Sequence, residues 1–353
     1  MKMKSIIVLL CSLLPLVACT SVEEEPYKPE TEQPSDNTGN GEEGEDDTTP
    51  VYGHLTTANT VSDVVHHEAF SGFGRFILPV ERSYDDNMTL QNVASMLPYH
   101  NYITGERAVE TINTMIDYVH DGNKLFYDIY SDADKQADSR KNNTGVFFFR
   151  GEPGKPFAIV CPGGGFSYVG AIHEGFPLAI ALSKMGYNAF SIQYRTGGAQ
   201  VACEDLAGAI DFIMRHAEEL QVSTDDYSLW GGSAGARMAA YLGSYGTQGF
   251  ISAEQPRPAT VVMGYTGHSD YTRNDPPTYV VIGDNDAIAS ASVMRQRVEH
   301  LQAIGIDAEF HLFPNLRHGF GLGIGTSAEG WEEDAVAFWE KYISRKNGKS
   351  NRK

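Results

Sequence analysis

The stretch Tyr227-Ser228-Leu229-Trp230-Gly231-Gly232-Ser233-Ala234-Gly235-Ala236 governs how the rest of the 353-residue chain is read. A short apolar strand candidate runs into Gly-x-Ser-x-Gly, and a helical stretch follows. A strand that turns straight into a helix leaves no space for side chains two residues either side of Ser233, so both positions are glycine. Such a turn strains the serine backbone and lifts its hydroxyl above the sheet edge. The helix that follows points its N-terminus at that hydroxyl and favours negative charge there. Without its flanks the pentapeptide is a common chance pattern; with them it reads as a serine nucleophile.

Outward from this point the chain alternates short apolar runs with helical stretches. The strand candidates are Val146–Phe149, Phe157–Cys161, Ala189–Tyr194, Tyr227–Trp230, Thr260–Met263, Thr278–Ile282 and Ala308–Leu312. Most are unbroken apolar runs, as strands buried on both faces are. Helical spacing marks His173–Lys184, Glu204–Leu220, Ser290–Ile304 and Ala328–Tyr342 between and after them. The alternation predicts an α/β fold with a mostly parallel central sheet and helices on both faces.

A nucleophilic serine needs a base. His318, in Arg317-His318-Gly319-Phe320-Gly321, lies in a loop between the last strand and the last helix. His66, His67, His100 and His120 precede the sheet pattern, and His173, His216 and His300 fall on helices. His268 and His311 are nearer rivals, but His311 is inside a strand. The base needs a carboxylate to fix its tautomer. The strand Thr278–Ile282 ends in Gly283-Asp284-Asn285-Asp286, and either acid can serve. Asp286 is preferred because three residues past the glycine let it turn over the sheet edge; Asp284 suits a turn. The order Ser233, Asp286, His318 follows. A developing oxyanion needs two donors. Ala234 offers one backbone N–H, and the glycine-rich loop Pro162-Gly163-Gly164-Gly165-Phe166 offers the other. No Gly-x-Gly-x-x-Gly opens a helix here, so the loop is not a dinucleotide fingerprint.

Residues 146–345 resemble an α/β-hydrolase of the acetyl-xylan-esterase and acetyl-esterase-like kind. The resemblance is carried by Pro162 to Phe166, His173-Glu174-Gly175, Tyr194-Arg195, Gly231 to Gly235, Gly283 to Asp286 and His318-Gly319. It implies Ser233, Asp286 and His318 as the triad, Gly164, Gly165 and Ala234 as oxyanion donors, and Phe166 and Gly232 beside the substrate. Pro162 stands where many lipases and esterases have His, and the short stretch Gly264–Pro276 leaves little room for a cap. The implied activity is a serine esterase acting without cofactor or metal on small acyl esters, acetyl groups on carbohydrate above all. A peptidase of the same fold and a non-catalytic carbohydrate-binding lipoprotein are the rival readings.

Composition sets bounds on these readings. The net charge is −19, with 41% hydrophobic and 21% charged residues. An acidic chain with no basic block argues against nucleic acid as a partner. Lys2 and Lys4 precede an apolar run, Ile6 to Val17, too short to span a bilayer and suited to a signal-peptide core. It ends in Leu16-Val17-Ala18-Cys19, which resembles a lipobox, so residues 1–18 are expected to be removed and Cys19 lipidated. Residues 21–50 hold eleven acids and one base, with Val22 and Tyr27 as the large apolar side chains. With so little to bury, residues 19–50 are expected to form a flexible acidic tether at a bacterial cell envelope. Contact with a membrane is then by the lipid anchor alone, and oligomeric state is left open. Cys161 and Cys203 are expected to be buried small apolar residues. A tail, 346–353, is expected to be disordered.

Residues 51–145 are read as an N-terminal decoration of one domain spanning 51–345, with a separate small binding module as the alternative. Thr111–Val119 has helical and Leu125–Tyr130 strand character. Phe70, Phe73 and Phe76 recur every three residues in a glycine-rich segment too apolar for a solvated linker. Two roles are open to it: a skirt packed on the first edge of the sheet, or a wall folded over the site, which would bring Tyr99 and His100 to the substrate.

Overall fold

The computed structural model describes residues 53–79 and 82–350, with side chains as far as Ile343. The expected signal segment, the tether and Cys19 lie outside the described residues. The described residues belong to one compact unit.

Eight strands build one sheet: β1 (Phe126–Tyr127), β2 (Gly145–Phe149), β3 (Pro156–Cys161), β4 (Asn188–Gln193), β5 (Ser223–Gly232), β6 (Thr260–Gly264), β7 (Thr278–Gly283) and β8 (Ala308–Phe313). Their order is β1-β2-β4-β3-β5-β6-β7-β8. The two pairings at the β1 end are antiparallel and the rest are parallel. Every residue of β2, β4, β6 and β7 is buried, which accounts for their unbroken apolar character. The edge strand β8 is only partly covered, and its residues alternate accordingly with polar ones.

Three helices precede the parallel part: α1 (Val61–Val65), α2 (Gly105–His120) and α3 (Asp132–Ala137). Six follow: α4 (Phe176–Lys184), α5 (Ala199–Arg215), α6 (Ala217–Leu220), α7 (Ala234–Tyr245), α8 (Ala291–Ala303) and α9 (Trp331–Ser350). The crossover from β3 to β4 runs opposite in direction to those from β4 to β5 and β5 to β6. Right-handed connections therefore set α4 on one face and α5 and α7 on the other. Trp339 of α9 packs on Tyr187, just beyond α4, with ring centroids 4.5 Å apart. Helix α9 runs to Ser350, into the stretch 346–353 where a disordered tail was expected; no proline interrupts it. Among the described residues no helix is long and apolar enough to cross a membrane.

Strand register then positions the site. Cys161, the last residue of β3, pairs with Gly231 of β5, and Gly232 pairs with Gly264, the last residue of β6. Gly283 ends β7 opposite Phe313 of β8. The loops after β3, β5, β6, β7 and β8 thus leave one edge of the sheet together, where the carboxyl ends of parallel strands form binding crevices.

The segment before the sheet is built largely of tight turns. Glu68–Phe70 and Gly74–Phe76 are single 3₁₀ turns, and three residues per turn bring Phe70, Phe73 and Phe76 to one side. Phe73 stacks on Phe126 of β1 at 5.3 Å and meets Phe147 of β2 edge-on at 5.8 Å; Phe76 stacks on Phe126 at 5.4 Å. These rings form a skirt on the first edge of the sheet, not a wall over the site. Helix α2 begins well before the expected Thr111, because Thr104 caps it by accepting the Arg107 amide. Phe73→Ala should lower stability by roughly 2–3 kcal/mol, below the cost of truncating a fully buried Phe because this ring is half-covered. Urea unfolding reads this directly, and an unchanged midpoint would contradict the packing.

Candidate active site

Ser233 stands between β5 and α7 with φ 52° and ψ −115°, a conformation that L-residues rarely adopt. Backbone packing forces it. A Cβ on Gly231 would lie 2.4 Å from the carbonyl carbon of Gly235, and one on Gly235 would lie 1.8 Å from the Cys161 carbonyl oxygen. The Ser233 amide donates to the Gly264 carbonyl at 2.9 Å, which ties the turn to the end of β6.

The Ser233 Oγ lies 3.0 Å from His318 Nε2, and His318 Nδ1 lies 2.7 Å from Asp286 Oδ2. The second oxygen of Asp286 accepts the amides of Ile288 and Ala289, each at 2.8 Å. The His318 and Asp286 side chains are almost wholly buried, whereas Ser233 is half-buried. A neutral imidazole here donates from Nδ1 to the carboxylate and accepts the serine O–H at Nε2. Asp284 is elsewhere: it accepts the Asn315 amide and holds the turn after β8. His311 stays in β8, stacked on Tyr279 and 3.1 Å from Glu309. His268 is buried edge-on to Tyr241, and burial, then the charges of Arg297 and Arg237, lower its pKa to about 4.

The glycine loop lies against Ser233: a Cβ on Gly163 would come within 3.0 Å of the serine Cβ. Gly164 and Gly165 have φ of 134° and 64°, followed by Phe166 at 57°. Among the described residues no hydrogen bond takes up the amides of Gly164, Gly165 or Ala234. Phe166 is half-buried on the open side. Gly232 is not; it is buried, and a Cβ there would meet the Tyr265 hydroxyl at 2.7 Å and Glu174 Oε2 at 2.8 Å. It therefore lines the support of the site and not its open face.

That support was not legible from the sequence. Glu174 sits in a π-turn, Ala171–Gly175, ahead of α4. One of its oxygens accepts the Gly163 amide at 2.5 Å and the other lies 3.0 Å from His100 Nε2. Burial would raise this carboxyl, but the neighbouring His100 and His173 and the Gly163 amide outweigh it and hold the group at about 2. Burial, followed by the His100 charge, drives His173 down to about 4; its Nε2 faces the Gly319 carbonyl at 3.0 Å. Tyr265 is pushed well up by burial and then by Glu174, and its ring packs edge-on against His318 at 5.2 Å. Cys161 and Cys203 are buried, and burial pushes both thiols up, Cys203 to about 12, so they stay protonated. Among the described residues no group of three or more His, Cys, Asp or Glu is arranged to hold a metal ion.

Comparison with known proteins bears on this architecture. Residues 150–261 match the BD-FAE family model. A curated acetylxylan esterase of Xylanibacter ruminicola is 21% identical over 217 residues, which is 50% of this chain and 44% of that protein. The chain thus spans less than half the length of that relative. The acetyl ester-xyloside bifunctional hydrolase of Caldicellulosiruptor lactoaceticus superposes with a TM-score of 0.54 at 19% identity, covering 61% of this chain and 95% of that one. MGS-M1, an α/β hydrolase enzyme from a Medee basin deep-sea metagenome library, gives 0.52 at 21% identity, covering 63% and 98%. With this sheet order, these strand-end loops and these neighbours, the chain is an α/β-hydrolase by fold.

Proposed function

We propose that this chain is a serine esterase that hydrolyses small acyl esters, acetyl groups on carbohydrate above all, through an acyl-enzyme on Ser233. The observation that carries the proposal is the continuous relay from an accessible serine hydroxyl through His318 to a buried, doubly hydrogen-bonded Asp286. Ser233 Oγ attacks the acyl carbon while His318 Nε2 takes its proton. Asp286 holds the imidazole in the required tautomer and stabilises the imidazolium. The amides of Gly164, Gly165 and Ala234 receive the oxyanion of the tetrahedral intermediate. His318 then returns the proton to the leaving alcohol. Water, activated by the same imidazole, releases the acid.

The acetyl-carbohydrate preference is supported by the names of two relatives, an acetylxylan esterase and an acetyl ester-xyloside hydrolase. It is supported also by Tyr99, which is 40% exposed, stacks on Tyr168 and lies within 3.1 Å of a Cβ built on Gly165. A half-exposed ring beside the oxyanion loop suits the apolar face of a sugar. We propose further that Cys19 carries lipid and that residues 19–50 tether the enzyme at the bacterial envelope, as the lipobox-like run suggests.

Acetyl, longer acyl and aminoacyl chromogenic substrates, assayed in parallel, test the reaction class. Turnover should be highest on acetyl esters, and preference for the aminoacyl substrate would instead favour a peptidase. Ser233→Ala and His318→Ala should each lose about 10⁴-fold or more in kcat, and Asp286→Asn about 10³–10⁴-fold. Full activity in any of these folded variants would remove that residue from the mechanism.

A further inference from the structure

The buried pair Glu174–His100 has no part in the relay, yet both side chains are only 1–2% exposed. Burying a carboxylate costs several kcal/mol before its partners recover any of it. The surroundings give both groups further partners. Glu174 accepts the amide of Gly163, one residue before the oxyanion glycines. The Tyr265 hydroxyl lies near the same carboxylate, both within 2.8 Å of a Cβ built on Gly232, and accepts the Gly321 amide at 3.3 Å, in the loop that carries His318. His100 Nδ1 meets the Tyr168 hydroxyl at 3.0 Å, and Tyr168 lies at the far end of the glycine loop. The carboxylate thus joins the oxyanion loop, the base loop and the segment before the sheet.

The backbone is shaped around this arrangement. A Cβ on Gly319 would lie 2.5 Å from the Tyr99 carbonyl oxygen, and one on Gly170 would lie 2.7 Å from His100 Cε1. Asn101 Nδ2 donates to the His318 carbonyl at 2.8 Å. Residues 99–101 are therefore seated between the two loops that must keep their relative position during reaction.

We propose that Glu174 and His100 are positioning residues for the hydrolytic reaction: the carboxylate, oriented by His100, fixes the Gly163 amide so that the next two amides stay aimed at the oxyanion. The proposal rests on the esterase reading above. It gives the segment before the sheet a second role, distinct from the aromatic skirt, by supplying one half of the pair. Loss of the clamp leaves the Ser233–His318–Asp286 relay in place and loosens the donors that act in the transition state. The cost then falls on kcat, with ground-state binding little changed.

Glu174→Ala, Glu174→Gln and His100→Ala are to be compared with wild type on an acetyl ester and on an arylboronic acid, whose tetrahedral serine adduct carries an oxyanion-like oxygen. Glu174→Ala should lower kcat by about 10²–10³-fold, the range for losing an oxyanion donor, with KM changed less than about threefold. The Ki of the boronic acid should rise in parallel with the loss in kcat. Glu174→Gln keeps an oxygen for the Gly163 amide and should recover most of that loss. His100→Ala covers the case in which the Glu174 alanine variant does not fold. His100→Ala should fall between the two. A folded His100→Ala with wild-type kcat, or a folded Glu174→Ala whose kcat is unchanged or whose KM and kcat change alike, would overturn the proposal. A wild type that turns over no ester would instead remove the esterase reading on which it rests.

Discussion

The site depends on how closely three stretches of backbone approach one another. Gly231 lies against Gly235, and Gly235 lies against the carbonyl of Cys161, at separations that admit no Cβ. Because Cys161 and Gly231 are also paired across β3 and β5, the turn that strains Ser233 and the loop that begins at Pro162 start side by side. The strain, of order 1–3 kcal/mol for such a residue, is held by ladder hydrogen bonds on both sides of β5. The positions of Ser233 and of the loop amides proposed as oxyanion donors are thus consequences of one strand register. That register is in turn held by the burial of β3 and β5 among helices on both faces.

This origin explains what could be read from residues alone. Unbroken apolar runs located the parallel strands to within about a residue at most ends, because double-sided burial demands such runs. β5 is the exception at its start. It begins at Ser223, and Ser223-Thr224-Asp225-Asp226 has no apolar signature, yet Pro156 pairs with Ser223 through backbone alone. Ser233, Asp286 and His318 come together because each follows a strand end, and Asp286, three residues past Gly283, reaches His318 where Asp284 instead accepts the Asn315 amide. Residues before Gly145 were harder to read. The 3₁₀ turns at Glu68–Phe70, Gly74–Phe76 and Leu90–Met96 have neither a strand nor an α-helical period. Phe70, Phe73 and Phe76 stood out only because their spacing of three matches the turn itself.

The Glu174–His100 pair illustrates a different limit. Its members are 74 positions apart, on a π-turn and a loop, and nothing local to either marks the other. The one signal in the sequence was indirect, a Glu in the run His173-Glu174-Gly175. Gly232 shows the same dependence, since its neighbours Tyr265 and Glu174 come from distant parts of the chain. The general lesson concerns support: a sequence marks residues at strand ends more readily than the groups packed behind them, because the latter are specified by tertiary approach.

The central claim is that Ser233 is a nucleophile activated through His318. Its most direct test is to incubate the intact protein with a fluorophosphonate and map the adduct by peptide mass spectrometry. The account predicts a single adduct on the peptide containing Ser233, absent in Ser233→Ala and strongly slowed in His318→Ala. Wild-type protein that takes up no probe, or a Ser233→Ala variant labelled as fast as wild type, would contradict it.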